Sequence, residues 1–481
     1  MVELNFKSLD ISEEILKSLE MLGYKHPSEV QAQVIPLALK DKDIIVKSQT
    51  GSGKTGAFAI PICEKIEIEE NKPQVLVLTP TRELAIQVKE DINNIGRFKR
   101  IRSVAVFGKQ PISEQTRQLK QRIHVIVGTP GRTLDHIERK NIDLSDVKYL
   151  IIDEADEMLN MGFIEQVETV INALSRDRIT MLFSATMPEE IERLCHNYMI
   201  NPINIEINPE SLTAEKIHQV YYEVENNKKF NLLNKLIYTE RPDSCIIFCS
   251  TKDNVDSLTQ RMQSRDYSCN KLHGGMLQKD RIDTIQKFKR GEFSFLIATD
   301  VAARGIDVEN ITHIINYDIP MEKESYVHRI GRTARAGKQG SAITFVTPSE
   351  YRFLRDIEDY IDLNIDKGEV PSEEAVEEGK NIFNKNARNK KSLKVDKSDK
   401  LNKEIMKLYI NAGKKKKIRA GDIVGAITSI NGVTAENIGI IDIQDNFSYI
   451  DILDGKGRVV LDALQQTTIK GKNVRVQKAT K

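Results

Sequence analysis

Ser48-Gln49-Thr50-Gly51-Ser52-Gly53-Lys54-Thr55 follows the Ile/Val run that ends at Val46, and this strand-then-loop reading decides the fold. The glycines let backbone N–H groups approach phosphate oxygens, so Thr50, Gly51, Ser52 and Gly53 form a cradle. Lys54 can reach the terminal phosphates, and Thr55 Oγ can join a Mg²⁺ shell. Far downstream, Asp153-Glu154-Ala155-Asp156 follows a second apolar run, Tyr149 to Ile152. There Asp153 is placed to hold Mg²⁺ through water, and Glu154 to orient or deprotonate an attacking water. Taken singly, the first string is also compatible with a Gly-rich turn, and the second with an acidic helix start. Their chain order and strand context together imply hydrolysis of ATP.

Outward from these motifs, Val/Ile-rich runs alternate with helix-like stretches from residue 43 to 207, which predicts a parallel sheet covered on both faces. The rhythm restarts after Pro202 with runs at 220–224, 245–248, 269–272, 293–298, 313–316 and 342–346. Two α/β domains follow, 1–207 and 208–365, joined near Pro209 to Glu215. The second half has no phosphate-loop string, so one nucleotide is expected to be shared between the domains. Residues 366–403, an acidic patch and then a basic, Asn-rich stretch, read as a helical or loose linker. A small α+β domain over 404–481 completes the chain, with strands expected at 422–427, 438–443, 449–453 and 474–476 and a helix at 459–465.

Composition sets broader limits. The 481 residues are 29% charged and 40% hydrophobic, without collagen-like or disorder-like bias. The five cysteines lack zinc-site spacing and read as reduced thiols of a cytoplasmic protein. Neither a secretion signal nor a membrane span is expected. Residues 404–481 hold thirteen Lys or Arg against eight Asp or Glu, which suggests an anionic partner.

Two further strings concern the shared site. His328-Arg329-Ile330-Gly331-Arg332-Thr333-Ala334-Arg335 concentrates fixed cations in the domain that lacks a phosphate loop. Arg332 and Arg335 are therefore candidate arginine fingers, a solvated or nucleic-acid-facing basic loop being the alternative. Ser184-Ala185-Thr186 ends a strand and offers two hydroxyls to the acidic motif, or only a helix cap.

In this order the motifs resemble those of the DEAD-box RNA helicases, over nearly all of residues 6 to 340. That resemblance implies two tandem RecA-like domains with ATP and Mg²⁺ between them. It places Phe6, Lys25 and Gln31 at the nucleotide, Phe6 stacking on adenine and Gln31 reading its edge, with Asp307 at the ribose. It implies that Asp156, Ser184, Thr186 and His328 couple the domains. RNA-backbone contacts are implied for Pro80, Thr81, Arg82, Gly108, Thr129 and Arg132 of the first domain, and for Thr251 and Thr299 of the second. Loops after strands can hold phosphates without reading bases, so sequence indifference should follow. The chain departs from the family pattern at Ser48, Lys109 and Ala334, which bears on rate rather than on reaction class.

The tail carries Lys414-Lys415-Lys416-Lys417-Ile418-Arg419 and, in Asp445 to Ile452, a strand that loosely resembles the aromatic strand of an RRM. Phe447 and Tyr449 fall on one face of it, for base stacking or for core packing. The whole tail resembles the carboxy-terminal domain of the DbpA/YxiN subfamily. This implies an RRM-like domain in which Lys416, Lys417, Arg419, Phe447 and Tyr449 meet a 23S rRNA hairpin on pre-50S particles during ribosome biogenesis. The chain is expected to be a monomeric, non-processive helicase, the alternative being an ATP-gated RNA clamp or assembly scaffold.

Overall fold

The computed structural model describes residues 5–48, 51–207, 217–303, 308, 311–334, 339–388, 401 and 404–479. Thr50, Asp307, Arg335 and the expected junction at Pro209 to Glu215 lie outside the described residues.

Short runs such as Val75-Leu76-Val77-Leu78 are buried along their whole length, as strands covered on both faces must be. In the first domain, strands β1 (Ile44–Lys47), β2 (Val75–Leu78), β3 (Ser103–Val106), β4 (Val125–Gly128), β5 (Tyr149–Ile152), β6 (Ile179–Ser184) and β7 (Ile203–Glu206) form one sheet. The order across it is β3-β4-β2-β5-β6-β1-β7, and every pairing is parallel. The second domain repeats that order with β8 (Ile217–Glu223), β9 (Cys245–Phe248), β10 (Cys269–Leu272), β11 (Phe295–Ala298), β12 (His313–Asn316), β13 (Gly340–Val346) and β14 (Asp366–Lys367), as β10-β11-β9-β12-β13-β8-β14. Helices cover both faces of each sheet, so the loops at the carboxyl ends of the strands are left to hold ligands.

Part of the stretch read as a linker belongs to the second domain. Strand β14 adds to that sheet beside β8, and helix Glu373–Arg388 lays Phe383 against Tyr238 and Tyr267, ring centroids 5.6 and 5.8 Å away. The aromatic contact explains why an acidic, weakly apolar segment is seated at all.

In the tail, β15 (Met406–Ile410), β16 (Ile438–Ile443) and β17 (Ser448–Ile452) pair antiparallel, with a further strand, Val476–Lys478, beside β15. The expected strand at 422–427 is instead the helix Ala420–Thr428. Its Ile423 and Ile427 stand four apart and are both fully buried, and Asp422 Oδ2 accepts from Arg419 N at 2.8 Å to start it. A short apolar run does not by itself distinguish the two periods. Strand β15 was not anticipated.

The small domain is seated on the first one. Leu401, Ile405 and Leu453 join the first domain's hydrophobic cluster. Around them Lys17 meets Asp454 at 2.6 Å, Arg97 meets the buried Asp451 at 3.4 Å, and Arg100 Nη2 donates to Ala435 O at 2.7 Å.

Candidate active site and nucleic-acid interface

The phosphate loop takes its shape from glycine conformation and from a staple beneath it. Gly51 and Gly53 sit at φ +85° and +96°, a region costly for other residues, and Lys54 opens the helix Lys54–Lys65. Gln31 Oε1 accepts from Ser28 N at 3.0 Å, while its Nε2 donates to Gly53 O at 3.1 Å. Ser28 Oγ donates to Ser52 O at 2.8 Å. Gln31 is thereby fixed to the loop, whose Gly53 has no room for a Cβ: it would meet Gln31 Nε2 and Ser28 Oγ at 2.8 Å. Nearby, Phe6 is buried with its ring edge-on to Tyr24, centroids 6.0 Å apart, and Lys25 is exposed. Lys54 Nζ donates to Ser48 O at 3.1 Å, and Thr55 is half-buried behind it.

Beyond β5, Asp153 is 3% exposed and its Oδ1 has no hydrogen-bond partner. Burial pushes its carboxyl well above the ordinary range, with Lys54 pulling the other way. Glu154 follows at φ +54°, an uncommon conformation for a non-glycine residue and one found at functional sites. Its carboxyl is likewise raised by burial, and Arg332 and then Lys54 oppose the rise. Both acids thus lie buried close to cations.

Asp156 is held by bonds within the first domain. Its Oδ2 accepts from Ala185 N at 3.1 Å, Thr186 N at 2.9 Å and Thr186 Oγ1 at 3.1 Å, and its own N–H donates to Ser184 Oγ at 3.2 Å. The two hydroxyls of Ser184 and Thr186 therefore do bond back to the acidic motif. His328 of the second domain lies with Nδ1 2.6 Å from Glu157 Oε1, so its partner is the residue after the four-residue motif. Glu157 was missed in the sequence, although its position at the motif's end was a usable signal. One cleft is lined by Lys54, Glu154, Asp156, Glu157 and Ala185 from the first domain and by His328 and Arg332 from the second. Arg329, also missed, anchors the arginine element: its guanidinium meets Asp300 at 2.5 and 2.7 Å, Asn316 Oδ1 at 3.0 Å and Asp318 O at 2.7 Å.

Of the expected RNA-side loops, the one holding Arg82 reaches the second domain. Thr81 and Thr251 each cap a helix, accepting from Leu84 N at 3.3 Å and Asn254 N at 3.1 Å. Each threonine thus satisfies a free N–H at a helix start, and the buried Pro80 precedes Thr81. Arg82 Nη1 donates to Gln278 Oε1 at 3.1 Å across the domains, and Gln278 Nε2 donates to Glu83 Oε1 at 2.8 Å. The buried Arg281 pairs with Glu83 at 3.1 Å. A Cβ on Gly108 would lie 3.5 Å from Arg82, so this loop and that arginine adjoin. Thr129 and Thr299 are half-buried at the ends of β4 and β11.

On the tail, Lys414 to Lys417 and Arg419 are exposed, and Lys470 and Lys472 converge on them, donating to Lys417 O at 3.0 Å and Lys416 O at 2.6 Å. Seven cations therefore crowd one edge, two of them too distant in sequence to be read with the run. Phe447 and Tyr449 stand 5.4 Å apart and half-exposed, joined by Tyr409 of β15 at 5.6 and 5.7 Å. The three rings form an aromatic face of the sheet.

Comparison with known proteins agrees with this geometry. Residues 28–194 match the family described as DEAD/DEAH box helicase, 228–337 the helicase conserved C-terminal domain, and 407–478 the DbpA RNA binding domain. The ATP-dependent RNA helicase DbpA of Bacillus subtilis (strain 168) is 58% identical over 477 residues, 99% of this chain and 100% of that one. The DEAD-box ATP-dependent RNA helicase CshA of Geobacillus kaustophilus is 47% identical over 353 residues, 73% of this chain and 76% of its own. Among solved structures, S. cerevisiae Dbp5 bound to RNA and ADP BeF3 superposes with a TM-score of 0.71 at 31% identity, covering 79% of this chain and 99% of that one. No helix among the described residues is long and apolar enough to cross a membrane. With both helicase domains, the RNA-binding tail and full-length identity in agreement, the chain belongs to the DEAD-box ATP-dependent RNA helicases, in the DbpA subfamily.

Proposed function

We propose that this helicase opens short RNA duplexes locally and non-processively, and that its tail directs it to a 23S rRNA hairpin on pre-50S particles in the cytoplasm, where it works as a monomer. The observation that carries the reading is the cleft to which each domain contributes: Lys54 and Glu154 from one side, His328 and Arg332 from the other. Neither half alone has the full set of charges that a γ-phosphate in transfer requires.

The residues fit Mg²⁺ bound chiefly through a nucleotide's phosphates. Asp153 Oδ1 is buried and unpartnered, Thr55 is close by in sequence to the loop lysine, and no group of three His, Cys, Asp or Glu among the described residues forms a cage. When bound, the ion neutralises charge on the phosphates. In this reading Lys54 holds the terminal phosphates, Glu154 takes a proton from water, and Arg332 steadies the departing charge. Arg335 and Asp307, at the γ-phosphate and the ribose, complete the proposed site, as do Phe6, Lys25 and Gln31 at adenine.

ATP and RNA close the cleft, the backbone loops bend one strand, and the complementary strand leaves. The seven-cation edge and the aromatic face of the tail support the targeting half of the proposal. The test is strand release from a short duplex joined to a ribosomal hairpin fragment. ATP should accelerate release, and a fragment without the hairpin should require more enzyme. Hydrolysis without faster release would overturn unwinding in favour of a clamp.

A further inference from the structure

Gln115 is completely buried in the helix Ile112–Leu119, between the two first-domain loops proposed to hold the RNA backbone. Its Nε2 donates to Phe107 O at 2.9 Å and to Gln110 Oε1 at 2.8 Å. Its Oε1 accepts from Arg132 Nη1 at 3.0 Å and lies 3.0 Å from His136 Nε2. Both amide hydrogens and both carbonyl lone pairs are thus engaged.

The orientation of the amide is not interchangeable. A main-chain carbonyl only accepts and a guanidinium only donates, so Phe107 O and Arg132 fix which end is which. His136 is fully buried, and burial, followed by Arg132, lowers its basicity. A neutral ring then donates from Nε2 to Gln115 and accepts at Nδ1 from Asn141 Nδ2, 3.2 Å away. Arg132 Nη1 also donates to Gln110 O at 3.0 Å, with its Nε 3.5 Å from Asp135. One side chain therefore ties the loop at 107–111, which includes Gly108, to the segment after β4, Thr129 and the first turn of the helix Pro130–Glu138. The two loops end neighbouring parallel strands, β3 and β4, and nothing in the strand pairing itself fixes their tips.

We propose that Gln115 is a positioning residue for RNA, setting the distance between these two loops by acting through Arg132. The inference rests on the reading that the loops contact the RNA backbone. It assigns a function to a residue outside every motif that identified the family. A fully satisfied buried network rigidifies what it joins, and leaving its partners unpaired is costly.

The experiment measures ATP turnover of the full chain against the concentration of a single-stranded oligoribonucleotide. Gln115→Met, similar in shape but without the amide, should raise half-saturating RNA about tenfold, with turnover at saturating RNA within about twofold, since the lost bonds leave buried donors unpaired. Gln115→Glu keeps the acceptor facing Arg132 and should fall between, which preserves the test if the Met variant folds poorly. In an Arg132→Ala background, Gln115→Met should add little further. If Arg132→Ala raises half-saturating RNA and Gln115→Met does not, the positioning role is overturned. If Arg132→Ala also leaves it unchanged, the RNA-contact reading fails, and the inference with it.

Discussion

Where the first domain faces the second, its contacts are polar: His328 to Glu157, Arg281 to Glu83, and Gln278 to Arg82 and Glu83. Where it faces the carboxy-terminal domain, Leu401, Ile405 and Leu453 enter its own hydrophobic cluster. Among the described residues, the other hydrophobic clusters each lie within one domain. Water can replace the bonds of the first junction when it opens, at small net cost. Separating the second exposes apolar surface, for which water offers no substitute. The seam proposed to admit ligands is therefore held by contacts that water can replace, and the seat of the tail by contacts that it cannot.

The largest effect that tests this contrast belongs to Arg332→Ala. If the polar seam serves chemistry, RNA-stimulated turnover should fall by about 10³-fold, equivalent to about 4 kcal/mol of barrier. The thermal midpoint should move by no more than a few degrees, because Arg332, though buried, lines the cleft between the domains rather than either hydrophobic core. Turnover and a melting curve on the same preparation check both halves. A large loss of stability with modest loss of turnover would make the seam structural and reverse the comparison.

Leu453→Ala probes the other junction. Its side chain is 2% exposed in a cluster that spans two domains, so truncation should cost about 2 to 3 kcal/mol. Turnover with generic RNA should stay within a few-fold of the parent. Denaturant unfolding checks the cost, and a separate early transition of the tail would locate it. An unchanged unfolding curve would mean that the seat contributes no stability.

The same contrast explains what could be read from sequence. Chemistry that uses backbone and charge leaves local strings: a phosphate cradle calls for glycines and a lysine in the spacing of Gly51, Gly53 and Lys54, and β1 and β5 are recognisable because Ile44 to Val46 and Tyr149 to Ile152 are apolar and buried. Contacts between distant segments leave no such string. Glu157 opposite His328, Arg329 on Asp300, and Lys470 and Lys472 beside Lys416 and Lys417 become neighbours only through folding. The helix Ala420–Thr428 was mistaken for a strand because its apolar run is too short for its period to show before Ile423 and Ile427 are seen to face one core. The seat of the tail was invisible for the same reason, since Leu401, Ile405 and Leu453 lie far along the chain from the first-domain residues whose cluster they join.

The smallest effect sharpens the account of that seat. Lys17 and Asp454 are 2.6 Å apart, yet their side chains are 45% and 34% exposed, so solvent screens the pair. Lys17→Ala should cost less than about 0.5 kcal/mol, and less still in high salt. Lys17 also lies 4.6 Å from the centre of the Phe98 ring, a contact that Arg at this position would keep and Ala would lose. Comparing Asp454→Asn, which removes the ion pair alone, with Lys17→Ala, which removes both, by unfolding therefore separates ring contact from ion pair. Should Lys17→Ala cost as much as Leu453→Ala, charge rather than apolar burial would hold the tail in place, and both junctions of the first domain would then be of the kind that opens.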